Sequence, residues 1–182
     1  MPFAAQPRSY DTLLHEEVAS YYADPLGFVL AMYPWGEPGL LEHHPGPDTW
    51  QRAFLLDLGV DVRARGFDGH TAVEPIRRAV SSGHGTGKSV MVAFLVDWIM
   101  STRPHSQGTV IANTITQLQT KTWAAIQTWT KRCKTVHWFT LNSERMYRNG
   151  YRDSWFCAPQ SSKEENSEAF AGQHAADRKS VV

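Results

Sequence analysis

The residues of this chain best suited to chemistry stand together in Ser82-Gly83-His84-Gly85-Thr86-Gly87-Lys88-Ser89. A glycine-rich run that ends in Lys-Ser and opens a helix is a phosphate cradle. Its successive backbone N–H groups point inward at phosphate oxygens. The helix behind it turns the positive end of its dipole to the same anion. Gly83, Gly85 and Gly87 give the backbone freedom to wrap closely. Lys88 stands where it reaches the β- and γ-phosphates of ATP as a point charge, and the Ser89 hydroxyl where it ligates Mg²⁺. One position departs from the usual G-x-x-x-x-G-K-[ST] pattern. The first glycine falls at Ser82, and Gly83 takes over its role one residue later. The competing reading is a glycine-rich turn ahead of a core helix.

Hydrolysis needs more than a cradle. ATPases of this class place an Asp at the end of a second strand to hold the Mg²⁺ shell, often with a Glu beside it to polarise water. Asp97 falls within the helix after the loop. Glu144 and Asp153 flank a turn, and Glu164, Glu165 and Glu168 lie in a polar stretch. None has an apolar strand before it. Val181-Val182 reads as the first residues of a strand.

The elements that position the loop follow from pattern. Asp11 or Thr12 caps a first helix to about Tyr22, with Leu14, Val18 and Tyr21-Tyr22 on one face. Asp24-Pro25 opens a second, ending before Pro34. A Pro/Gly/His-rich connection occupies 34–47. Asp48 opens a third helix, with Gln51 in capping-box position and Gly59 as its stop. Residues 59–74 read as a loop or irregular strand. Ile76–Ser81 then reads as a strand, 82–87 as the loop, and Lys88 to about Ser101 as a helix. Arg77 and Arg78 are unusual in a central strand, so at least one must reach an edge, a carboxylate or the nucleotide.

Thr109–Ala112 reads as a strand. Thr114 caps a helix with Leu118, Thr122, Ala125 and Trp129 along one face, ending near Lys134. Val136–Leu141 reads as a strand. Asn149-Gly150 predicts a two-residue hairpin turn joining Glu144–Arg148 to Tyr151–Cys157. Strands alternating with helices around a strand–loop–helix predict an α/β domain with a mainly parallel sheet. Residues 1–65 form a helical N-terminal segment and 66–182 a partial ATPase domain.

Composition narrows the class without choosing a partner. The 182 residues balance 18 Lys+Arg against 18 Asp+Glu, so overall charge argues neither for nucleic acid nor for a membrane surface. Cys133 and Cys157 belong to no CxxC pair and read as ordinary reduced thiols, the pattern of a cytoplasmic protein. His43-His44 reads as a solvated loop pair. The most apolar stretch, Val90–Met100, contains Asp97 and is far shorter than the ~20 residues of a membrane span. Trp98, Trp123 and Trp129 fall on predicted helices and read as core.

Three stretches resemble the large subunit of tailed-phage terminases, the motor that packages DNA into capsids. They are RRAVSSGHGTGKS (77–89), VIANTITQLQTKTWAAIQTW (110–129) and EAFAGQHA (168–175). The order is the family's, and the stretches span roughly half the chain. The resemblance implies a P-loop NTPase core of the ASCE type, ATP and Mg²⁺ as cofactors, and coupling of hydrolysis to double-stranded DNA translocation. It implies the portal and the small terminase subunit as partners, and no membrane. It also implies an adenine-contacting Gln upstream of the loop, and Gln51 in PDTWQRAFL matches that element. Plain capping is the alternative role for Gln51. His84 stands where some members carry an arginine, so that role does not transfer.

A complete family member continues into an acidic ATPase strand and a metal-dependent nuclease. On this reading the chain is the N-terminal part of a longer protein, able to bind nucleotide through Lys88 with little turnover alone. An incomplete sheet leaves strand edges that favour self-association. The alternatives are another P-loop ATPase acting on nucleic acid, of helicase or repair type, or a nucleotide-binding piece without turnover.

Overall fold

The fold is taken from a computed structural model, which describes residues 9–66, 68, 71–161 and 179–181. Three helices lead. Helix α1 (Tyr10–Ser20) is capped by Ser9, whose hydroxyl accepts from the Thr12 N–H. Asp11 is therefore not the cap. It lies in the first turn, and its carboxylate accepts from the Trp138 indole at 2.9 Å and from His137 Nε2 at 2.8 Å. Helix α2 (Pro25–Met32) opens as expected, with Asp24 accepting from the Gly27 N–H and proline in the first turn.

Helix α3 (Thr49–Arg65) carries the full Asp48/Gln51 capping box. It does not stop at Gly59. It runs on to Arg65 and ends at Gly66, left-handed at φ 59°. Gly59 is there for spacing: a Cβ would lie 3.2 Å from both the Ala23 carbonyl oxygen and Pro25 Cδ.

Helix α4 (Lys88–Thr102) is the centre of the molecule. Met91, Phe94, Val96, Trp98 and Met100 are all buried along it. Strand β1 (Gln107–Ala112) follows. Thr114 then caps α5 (Ile115–Gln117), which passes through a π-helical stretch, Leu118–Trp123, into α6 (Ala124–Thr130). The wide π turn moves the inward face by one residue. Leu118, Trp123, Ile126 and Thr130 are buried in place of the regularly spaced Thr122, Ala125 and Trp129.

A single 3₁₀ turn, Val136–Trp138, occupies half of the expected 136–141 strand. Strands β2 (Phe139–Leu141), β3 (Met146–Arg148), β4 (Phe156–Ser161) and β5 (Lys179–Val181) complete the sheet, in the order β2-β3-β4-β1-β5. The sheet is mixed and not mainly parallel. β1 runs parallel to β4 and β5, while β2–β3 and β3–β4 are antiparallel. The antiparallel half comes from the 139–161 meander.

Within that meander β3 and β4 pair as neighbours, but not through a two-residue turn. Residues 149–155 connect them, with Gly150 at φ 84° and Asn149 outside the left-handed region. The longer path lets Trp155 fold inward. Its backbone N–H bonds the Tyr151 carbonyl, and its indole donates to the Met100 carbonyl at 3.0 Å.

The expected strand Ile76–Ser81 is also corrected. It is irregular chain outside the sheet, tied to α3 through Arg78. Arg78 explains the departure. Its guanidinium pairs with Asp61 of α3, Nε to Oδ2 at 2.8 Å, and Val80 beside it is 41% exposed. The segment FAGQHA lies outside the described residues. The described residues form a mixed α/β fold. Among the described residues, no helix is long and apolar enough to cross a membrane.

Candidate phosphate-binding site

Gly87 and Lys88 join the glycine-rich loop to the N-terminus of α4. Gly87 is the N-cap, left-handed at φ 81°, and Gly85 is left-handed at φ 75°. These two positions require glycine conformationally. Gly87 is also tight, since a Cβ there would meet Gln51 Nε2 at 2.9 Å. Gly83 differs. Its φ is not positive, and nothing lies within 4 Å of a Cβ built on it.

Lys88 folds back across the loop. Its ammonium donates to the Ser82 carbonyl at 2.9 Å, to Ser82 Oγ at 3.1 Å and to the Gly83 carbonyl. Ser82 Oγ and Thr86 Oγ1 stand 2.7 Å apart, and Thr86 Oγ1 donates to the Gly83 carbonyl at 3.2 Å. The loop is thus closed around a lysine head that remains exposed to solvent, as do Ser82, Gly83, His84 and Gly85. Ser89 is half-buried in the first turn of α4.

Helix α3 holds the loop from the side. The Trp50 indole donates to the Thr86 carbonyl at 2.9 Å, and Gln51 Nε2 donates to the Gly87 carbonyl at 3.1 Å. Gln51 Oε1 accepts from the Asp48 N–H at 2.9 Å, and the residue is 4% exposed. Both ends of its amide are therefore engaged within the chain. In the sequence Trp50 stands out only as the neighbour of Gln51 within PDTWQRAFL. Its partner lies 36 residues away, and no local spacing announces such a bond.

Carboxylates are placed elsewhere. Asp97 sits on α4 about two and a half turns beyond Lys88. It is 1% exposed, and it accepts from the Tyr33 hydroxyl at 2.5 Å and from Thr130 Oγ1 at 2.7 Å. Burial pushes its carboxyl up to about 7. Glu144 and Asp153 pair with arginines at the meander, Glu144 with Arg152 and Asp153 with Arg145. Among the described residues, no group of three or more His, Cys, Asp or Glu could hold a metal ion. Cys133 and Cys157 are buried free thiols, each pushed up to about 12 chiefly by burial. His137 faces Asp11, and His43 and His44 are exposed.

Compared with family models, curated proteins and solved structures, the chain has no match among any of them.

Proposed function

We propose that this chain binds ATP through residues 82–89 and is the nucleotide-binding part of a DNA-packaging motor of the terminase large-subunit type. The observation that carries the nucleotide reading is the Lys88 ammonium lying across the loop carbonyls of Ser82 and Gly83 at the N-terminus of a 15-residue helix. A lysine so placed can exchange neutral carbonyl acceptors for anionic phosphate oxygens, adding charge–charge attraction to the hydrogen bond. The left-handed Gly85 and Gly87 bend the loop so that its N–H groups and the α4 dipole serve the same anion.

Ser89, in the first turn of α4, would hold Mg²⁺, whose charge offsets that of the β- and γ-phosphates when bound. A hydroxyl and phosphate oxygens are the hard donors that Mg²⁺ takes, and a nucleotide-borne metal needs no carboxylate cluster beside Ser89 among the described residues. Lys88 supplies the fixed positive charge. The DNA-packaging part of the reading is supported by the resemblance of 77–89 and 110–129.

The test is titration of a fluorescent ATP analogue with Mg²⁺. Charged hydrogen bonds contribute about 1.5–3 kcal/mol, so Lys88→Ala should weaken binding about tenfold to a hundredfold. Affinity unchanged by Lys88→Ala overturns the nucleotide reading. Capture of the portal or the small terminase subunit separates a packaging motor from another nucleic-acid ATPase.

A further inference from the structure

The two carbonyls held by α3 belong to the last two peptide units before the helix, and each peptide unit is planar with its C=O and N–H pointing in opposite directions. Fixing the Thr86 carbonyl against Trp50 therefore turns the Gly87 N–H away from α3. Fixing the Gly87 carbonyl against Gln51, and against the Met91 N–H at 3.0 Å, does the same for the Lys88 N–H. These are the N–H groups that a phosphate cradle presents. A third bond, Arg78 to Asp61, ties the chain entering the loop to the same helix.

We infer that Trp50 and Gln51 are positioning residues for the phosphate loop, orienting its last two N–H groups, and that Gln51 serves the phosphates and not the base. The inference rests on the phosphate-binding reading above. Three observations carry it. Trp50 and Gln51 are adjacent in the first turn of α3 yet bond consecutive carbonyls of the loop. Gln51 is buried, with its oxygen accepting from Asp48 and its nitrogen donating to Gly87, so its amide is held against the loop with one lone pair and one N–H left over and almost no exposed surface to offer an adenine edge. Gly87 lacks the side chain that would push Gln51 aside. α3 thus acts as a brace whose effect on ligand is independent of the base.

The experiment measures affinities for ATP, GTP and inorganic tripolyphosphate, each with Mg²⁺, by calorimetry on the full chain. Trp50→Phe keeps the aromatic packing and removes the donor. Gln51→Leu keeps the volume and removes both polar ends. One lost hydrogen bond is worth about 0.5–1.5 kcal/mol, so each variant should weaken all three ligands by a common factor of about threefold to tenfold. Trp155→Phe is the control. It removes an equivalent indole-to-carbonyl bond, to Met100, at the far end of α4. It should lower thermal stability similarly and leave every affinity unchanged.

If Gln51→Leu weakens ATP alone, Gln51 reads the base and the inference is overturned. It is also overturned if neither variant moves tripolyphosphate affinity, or if Trp155→Phe moves it equally. Should Gln51→Leu not fold, Trp50→Phe alone carries the tripolyphosphate comparison. Loss of the parent's Lys88-dependent tripolyphosphate binding would be a different result, sinking the phosphate-binding reading itself.

Discussion

Asp97 is a carboxylate buried in the middle of α4 whose hydrogen-bond partners are two neutral hydroxyls, Tyr33 and Thr130. Burial raises its pKa from 3.8 in an exposed carboxyl to about 7, against the smaller lowering effect of the two hydrogen bonds. Burial likewise holds the Tyr33 phenol well above its ordinary value, so it remains a donor. Folding therefore takes up a proton between the two Asp97 values. Stability from this group is complete below about pH 4, falls as pH rises toward 7 and is flat beyond. The full span is on the order of 4 kcal/mol, about three units at about 1.4 kcal/mol per unit. Asp97→Asn should flatten the profile between pH 4 and 7, read as urea midpoints across that range. Parallel profiles for parent and variant would remove Asp97 as the cause. The residue contrast is instructive. The place of Lys88 at the start of the helix after the loop was legible because loop and helix are contiguous, and Asp48–Gln51 because a capping box is local. The Asp97–Tyr33–Thr130 set joins three distant segments, and a lone Asp in an apolar helix gives no hint of which hydroxyls will meet it.

Among the elements, glycine shows what local pattern reads well and what it misses. Gly66 ends α3 in a left-handed turn, whereas Gly59 sits inside the helix where Ala23 and Pro25, at the entry to α2, approach to 3.2 Å of where a Cβ would stand. A stop and a close approach look alike in sequence. Gly59→Val should therefore destabilise the fold by about 1–3 kcal/mol through overpacking. Gly83→Ala, with open space and no positive φ, should be within about 0.5 kcal/mol of neutral. Chemical denaturation of both variants checks the contrast, and equal losses would mean that Gly59 is not a contact glycine. The π turn at Leu118–Trp123 is a second such case, since one extra residue per turn shifts the buried face after it and regular spacing cannot foresee the insertion. The chain before the loop is a third. Its two arginines signalled a conflict with a central strand, and the conflict is resolved by Arg78 pairing with Asp61 outside the sheet.

At the scale of the molecule, one hydrophobic cluster runs from the leading helices into the sheet. Leu14 and Val18, Phe28 and Met32, Leu55, Phe94, Val110, Trp123, Met146 and Cys157 all belong to it. Directional bonds cross the same boundary. The Trp98 indole donates to the Tyr21 carbonyl at 2.8 Å, Arg103 to the Tyr22 carbonyl at 3.0 Å, and the Lys134 N–H to the Met32 carbonyl at 2.9 Å. Removing α1–α3 would leave α4 with an apolar face and no cover, because α4 is lined by buried residues around much of its circumference. The helical segment and the α/β part should then unfold together. Leu55→Ala in α3 and Met146→Ala in β3 each delete a fully buried side chain, at a cost of about 2–5 kcal/mol. Both should move one common transition, with tryptophan fluorescence and far-ultraviolet circular dichroism giving the same midpoint in each variant. Separate midpoints in Leu55→Ala, one early and one unchanged, would mean that α3 melts away from α4. The loop would then lose its brace while the sheet stayed folded, so triphosphate affinity should collapse at the first midpoint and not at the second.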